Sequence, residues 1–253
     1  MNDDNSKVAP ASLADAVYYH NDVFGSKILV RILRAHLQGN VLEVGAGAGY
    51  ITTELALCAQ RVVAIEPTSE LHERLRERTA LLPNVSVVNG TLRDYVAQAD
   101  SPKRPVPLFD AIVYINVLEH IETDAEELAL AKELLRPGGS VLIVVPAHQW
   151  LYARVDQLTG HFRRYSKRSL CNTITWSGLE VRELKYFDAV GLFPYLVLYR
   201  WLRSTSTSGA NAALYSRVIM PISYIAYRVF GGRLLGKNLI VVAGTTQTQK
   251  RVR

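Results

Sequence analysis

Short apolar runs and helical patterns alternate through the first two thirds of the chain. Val41–Val44, Val62–Ile65, Val85–Val88, Ala111–Ile115 and Val141–Val145 are nearly continuous apolar runs rich in β-branched residues. Such runs predict parallel strands covered on both faces. Between them, helices are predicted over Lys27–Leu37, Tyr50–Cys58, Glu70–Leu82 and Asp124–Leu135. Pro137-Gly138-Gly139 predicts a stop between the last of these helices and the fifth strand. Strand and helix in repeated alternation predict a doubly wound α/β sheet with right-handed crossovers.

The last third has a different pattern. Val181–Phe187 and Leu239–Ala243 read as a sixth and a seventh strand, and the segment between them is apolar. Ala189–Tyr199 carries no charge, and a second apolar stretch from 212 to 230 is interrupted only by Arg217 and Arg228. Neither is a clean uncharged run of the ~20 residues that a membrane-spanning helix needs. Pro221 should kink or divide the second stretch. The expected fold is therefore a seven-stranded Rossmann-like α/β sheet with an apolar helical insertion between its last two strands. Its expected parts are an N-terminal helical cap over 1–25, a core over 26–187, the insertion over 188–237, and a last strand with a basic tail over 238–253.

Composition narrows the class only a little. With 253 residues, 49% hydrophobic and 21% charged, the chain is not a collagen, a disordered polyampholyte or a coiled coil. It is long enough to bury a sizeable core. Cys58 and Cys171 are too few for a disulfide framework, which predicts a reducing, cytoplasmic setting. The polar, acidic start MNDDNSKVAP lacks the pattern of a secretory signal. Lys+Arg 29 against Asp+Glu 23 gives a formal charge of +6, which favours anionic partners without choosing among them.

The sharpest local signal is Val41-Leu42-Glu43-Val44-Gly45-Ala46-Gly47-Ala48-Gly49-Tyr50, a strand that ends in a glycine turn opening a helix. Glycines there permit positive φ and let a ligand approach the backbone. Alone, the turn fits NAD, FAD or S-adenosylmethionine equally. Three further features narrow it: Glu43 just before the first glycine, Glu66 at the end of the second strand, and Asn116-Val117-Leu118-Glu119-His120 after the fourth. With these, EVGAGAG, AIEP, FDAIVYINVLEHI and LLRPGGSVLIVVP together resemble the class I S-adenosylmethionine-dependent methyltransferases over roughly residues 17–187.

That resemblance implies S-adenosylmethionine as cofactor, S-adenosylhomocysteine as product, and no metal. It implies that Gly45, Ala46 and Gly47 pack against the methionine part, with Glu43 near its amino group. Glu66 would hold the ribose and Pro67 would lie beside the adenine. After the third strand, Gly90, Thr91 and Leu92 would supply a neutral adenine contact where relatives often carry an acid. Asn116 and Val117 would sit near the sulfonium, and Tyr19 would belong to the N-terminal helix that covers the cofactor. An NAD-binding Rossmann domain is the competing reading, because Glu66 would serve it equally well. Glu43 argues against it: a carboxylate repels a pyrophosphate and attracts a methionine ammonium.

Transfer from a sulfonium needs alignment and, for hydroxyl acceptors, a base. His161, His148 and His20 are the candidates. His120 fits a structural cap at least as well as catalysis. DQLTGHFRRYS resembles a loop in bacterial relatives that often modify sugars, lipids or secondary metabolites. Arg163, Arg164 and Tyr165 of that loop, with Tyr195 of the insertion, are the candidate acceptor contacts. A competing reading pins the loop with an arginine–Asp156 pair and leaves His161 hydrogen-bonded and inert. No His/Cys/carboxylate cluster has metal spacing in the sequence.

The insertion is the clue to the acceptor. Its aromatic residues, among them Phe193, Tyr199, Trp201 and Tyr227, suit the wall of an apolar pocket for a small-molecule or lipid-linked acceptor. Docking on the inner membrane surface is a second use, and a homodimer contact is a third. Arginines diluted among aliphatic residues make a poor phosphate track, which argues against nucleic acid. Two further classes stay open: an S-adenosylmethionine-binding enzyme of cyclisation or decarboxylation chemistry, and a non-catalytic scaffold on the same fold.

Overall fold

The computed structural model describes residues 23–99, 107–202 and 215–245. His20, Tyr19, nearly all of the N-terminal cap, the middle of the insertion and the basic tail lie outside the described residues. Seven strands form one sheet: β1 (Asn40–Val44), β2 (Arg61–Glu66), β3 (Val85–Asn89), β4 (Phe109–Ile115), β5 (Leu135–Pro146), β6 (Glu180–Phe187) and β7 (Asn238–Gly244). Their order is β3-β2-β1-β4-β5-β7-β6. Pairings among β1 to β5 are parallel, whereas β7 runs antiparallel to both β5 and β6.

The apolar runs are continuous because both faces of these strands are covered. Leu42, Val63, Ile112 and Ile143 pack on one face with Leu128, Leu170 and Ile174 from two covering helices. Val41, Val62, Val113 and Val144 pack on the other with Leu29, Leu33 and Leu55. The order reverses between β1 and β4, so the carboxyl ends of these neighbours flank a crevice where the sheet has no crossover above it.

Covering helices are α1 (Val23–Leu33), α2 (Tyr50–Ala56), α3 (Ser69–Thr79), α4 (Leu92–Ala99), α5 (Asp124–Glu133), α6 (Arg154–Leu158) and α7 (Lys167–Trp176). The expected helices are present with shorter ends. The one expected over Lys27–Leu37 instead closes as a 3-10 turn at Arg34–His36. Nothing in the apolar spacing marked α4 or α6, which are short and half-exposed.

One expectation is corrected. Pro137-Gly138-Gly139 does not separate α5 from the fifth strand. Phe109 pairs with Leu135 and Ala111 with Ser140, so residues 136–139 bulge out within β5. The bulge is held by the Arg136–Asp110 ion pair, whose Asp110 also accepts from Asn40 N at 2.7 Å.

Between β6 and β7 the described chain forms α8 (Ala189–Tyr195), a wide π turn over Leu196–Trp201, a second π turn over Tyr215–Ile219, and α9 (Met220–Phe230). Pro221 sits in the first turn of α9, where a missing N–H costs nothing, and so marks the division expected of it. Among the described residues, no helix is long and apolar enough to cross a membrane. These helices leave Phe193, Trp201, Leu202, Ile225 and Val229 between 61% and 70% exposed, far more than the sheet allows its own apolar residues.

Candidate active site

The glycine turn is built from backbone. Gly45 N and Ala46 N both donate to Ile65 O at 2.9 Å, which ties the turn to the end of β2. Gly45 has φ +70°, and a Cβ there would lie 2.6 Å from a Val117 methyl. Only glycine therefore lets the turn and the segment after β4 close on one another. A cleft at this place is lined by Glu43, Val44, Gly45, Ala46, Tyr50, Ile51 and Ile115.

Two buried carboxylates lie beside the glycine turn: Glu43, which lines the cleft, and Glu66, which is bonded to the turn. Glu66 accepts from Gly47 N at 2.8 Å and from Thr68 N at 2.9 Å, so it fixes the second glycine as well as ending β2. Glu43 accepts from Thr52 Oγ at 2.6 Å. Burial raises the Glu43 carboxyl to about 8, against the lowering effect of Thr52 and with a further push from Glu66. A cation placed beside it would favour the charged form.

The remaining expected cofactor residues are divided between cleft and core. Asn116 adopts φ +53° and donates its N–H to Val144 O at 2.8 Å, turning the chain away from the sheet beside the cleft. Val117 packs on Gly45. Pro67 is exposed just after Glu66. Gly90 is tied to Glu66 O, and Thr91 caps α4 through Asp94. Leu92 is wholly buried in the core, so its side chain faces the sheet.

Across β4 lies a polar cluster centred on Asp156, which is 0% exposed. Its carboxylate accepts from Arg164 Nε (2.8 Å), Tyr195 OH (3.0 Å), Ala153 N (2.8 Å) and His161 Nδ1 (2.9 Å). Burial would raise this carboxyl, but the His161 bond, the Arg164 charge and the remaining donors outweigh it and hold it near about 2. An ionised carboxylate only accepts, so Nδ1 of His161 carries the hydrogen. In the neutral ring the lone pair is then on Nε2.

The arginine–Asp156 pairing expected of a pinned loop is present, and His161 is bonded to the same carboxylate. Arg164 and Tyr195 bond each other at 2.6 Å and are both buried, so their polar atoms serve this network. Tyr165 is also buried; its hydroxyl lies 2.7 Å from Asp124, and burial pushes it well above the ordinary tyrosine range. Arg163 is partly exposed and bonds Asp124 and Glu122 O. His148 donates Nε2–H to Gly236 O at 3.0 Å and stacks on Tyr186, with burial lowering its pKa. Of the candidate bases described, His148 is buried and His161 is part-buried.

Other features had no signal in sequence spacing. Asp188 accepts from Gly191 N, Ser223 Oγ and Tyr215 OH and pairs with Lys237, stapling the α8–α9 region to the end of β6. Glu119 is 1% exposed, and neither of its carboxylate oxygens has a partner. Burial raises its carboxyl to about 7 in spite of His161 and Arg164 nearby. The His120 ring meets the His161 ring edge-on, with centroids 4.6 Å apart.

A model of the methyltransferase domain matches residues 20–184. An rRNA methyltransferase of Streptomyces thermotolerans is 37% identical over 142 residues, covering 56% of this chain and 41% of that protein. An rRNA adenine N-6-methyltransferase of Bacteroides fragilis is 32% identical over 51% of this chain and 47% of its own length. The chain thus matches less than half the length of either relative. Among solved structures, a DhpI–S-adenosylhomocysteine complex superposes with a TM-score of 0.50 at 25% identity, covering 66% of this chain and 81% of that one. The CcbJ methyltransferase of Streptomyces caelestis reaches 0.55 over 88% of this chain and 89% of its own, at 18% identity, a likeness of fold.

Proposed function

The chain belongs to the methyltransferase-domain family, and on that premise we propose that it moves a methyl group from S-adenosylmethionine to a small or lipid-linked hydrophobic acceptor. The observation that carries this reading is the pair of buried carboxylates beside the glycine turn. Glu43 in particular suits a ligand bearing an ammonium and not one bearing a pyrophosphate. Gly45, Ala46 and Gly47 would take the methionine part, Glu66 the ribose, and the exposed Pro67 the adenine edge. Asn116 and Val117 would lie toward the reacting group.

When bound, S-adenosylmethionine supplies an electrophilic methyl carbon on a sulfonium. The chain's own task is alignment, which is worth several kcal/mol. For a hydroxyl acceptor it must also remove a proton. His161 is suited to that task, because Asp156 holds its Nδ1–H and leaves the lone pair on Nε2 to accept a proton. For such an acceptor, His161 would hold the hydroxyl and take its proton on Nε2.

The acceptor class rests on the exposed apolar residues of α8, α9 and the π turns, which would wall an apolar substrate or rest on a lipid surface. The relatives named for rRNA favour a second reading, with RNA as acceptor. Methyl-labelled S-adenosylmethionine, incubated with the protein and a bacterial extract, separates the two. Label in the organic-soluble fraction, with matching S-adenosylhomocysteine, is expected. Label confined to ribosomal RNA would replace the acceptor assignment. Consumption of cofactor without labelled product would point to non-methylating chemistry.

A further inference from the structure

We propose that Glu119, His120 and His161 form a binding site for one divalent first-row transition-metal ion of the zinc class. One ligand atom from each residue lies within 4.8 Å of the other two. Zinc–ligand bonds of ~2.0–2.2 Å set tetrahedral ligand atoms ~3.3 Å apart. Glu119 and His120 are adjacent in the 3-10 turn after β4, and His161 comes from the loop after α6. Phe162 N donates to Glu119 O at 2.8 Å and holds the two segments together.

The state of Glu119 points to a ligand. Its two oxygens are the only buried side-chain nitrogen or oxygen atoms without a partner among the described residues. Glu43, Glu66, Asp124, Asp156 and Asp188 are buried too, and each receives donors. An unpaired buried carboxylate is costly and calls for a counter-charge. A bound cation would supply it.

His161 is prepared from behind. Metal-bound histidines commonly donate their second ring N–H to a carboxylate, which fixes the tautomer and strengthens the ligand. Asp156 does this to Nδ1 here, and is itself held by Arg164, Tyr195 and Ala153 N. Two imidazoles and one carboxylate suit zinc and its neighbours better than magnesium or calcium. Three protein ligands leave a coordination position open. Resting on the methyl-transfer reading, a bound ion would take the Nε2 lone pair of His161, so an acceptor oxygen in the open position would be activated by the ion in place of His161 acting as base.

The test is titration of the chelator-treated full chain, cofactor-free, with Zn2+ by calorimetry and with Co2+ by visible absorption at pH 7.5. One equivalent should bind at ~10 μM or tighter, with cobalt bands of low coordination number, and should raise the melting temperature. Glu119→Gln, which keeps the side chain's shape and removes a buried charge, should weaken binding at least ~10-fold, as should His161→Ala and His120→Ala. His72→Ala, on α3, should leave it unchanged. Absence of saturation below ~1 mM, retention of affinity in all three variants, or loss in His72→Ala would each overturn the site. The titration reads no turnover, so it fails or succeeds separately from the methyl-transfer reading, which S-adenosylhomocysteine binding by the same metal-free sample tests.

Discussion

The two sides of the crevice hold their charged groups differently, the second adding long-range partners to local ones. On the glycine-turn side, partners are near in sequence or on the neighbouring strand: Glu43 with Thr52, Glu66 with Gly47 and Thr68. Across β4, near partners such as Ala153, His161 and Arg164 of Asp156 are joined by partners from distant elements: Asp156 with Tyr195, Tyr165 with Asp124, Asp188 with Ser223 and Lys237. The first side is a rigid cradle made by local backbone rules. The second is a cross-linked polar network that ties the α8–α9 region to the loop after β5. On the proposed function, the first side would hold the cofactor and the second would meet the acceptor.

The comparison breaks most easily at Asp156. Asp156→Ala leaves Arg164 buried without its counter-charge, and should cost ~3–5 kcal/mol in urea denaturation. A loss below ~1 kcal/mol would mean that the network does not support the fold. Next comes Glu66→Ala, which removes the acceptor for Gly47 N as well as the expected ribose contact. It should weaken S-adenosylhomocysteine binding by ~1.5–3 kcal/mol, or ~10- to 100-fold. Affinity within about twofold of wild type would remove the ribose role.

Gly45→Ala should destabilise by ~1–2 kcal/mol through its left-handed φ, besides pressing on Val117. Val117→Ala in that background should recover the steric part alone. Full recovery in thermal melts would show that φ is not limiting.

The mildest effect is a pH slope. Glu43 titrates near about 8 in the folded, ligand-free chain and near 4.5 when unfolded. Between those values the folded state binds more protons, so stability should fall as pH rises, by at most ~1.4 kcal/mol per unit for this group. Glu119, raised to about 7, acts in the same direction up to that value. Glu43→Gln should flatten the slope, most strongly between about pH 5.5 and 7, and an unchanged slope there would remove Glu43 as its source.

The sheet was legible because buried parallel strands write themselves as apolar runs, and the glycine turn because φ and close approach demand particular residues at fixed spacing. The bulge in β5 was not: Pro137 and the two glycines read as a break, and only pairing with β4 makes them an excursion. Arg164, Tyr165 and Tyr195 carry polar tips that read as ligand contacts in one dimension. In the fold those tips meet Asp156 and Asp124; the arginine–Asp156 pair lies within one loop and was the competing expectation, whereas Tyr165 and Tyr195 reach carboxylates 41 and 39 residues away. Glu119 and His161 escaped notice as a pair because 41 residues separate a turn after β4 from a loop after α6.

On the proposed function, the cradle beside Glu43 and Glu66 takes S-adenosylmethionine. Calorimetric titration with S-adenosylmethionine, S-adenosylhomocysteine and NAD in parallel tests it most directly. Micromolar binding of the first two with none for NAD is the predicted result, and binding of NAD alone would contradict it.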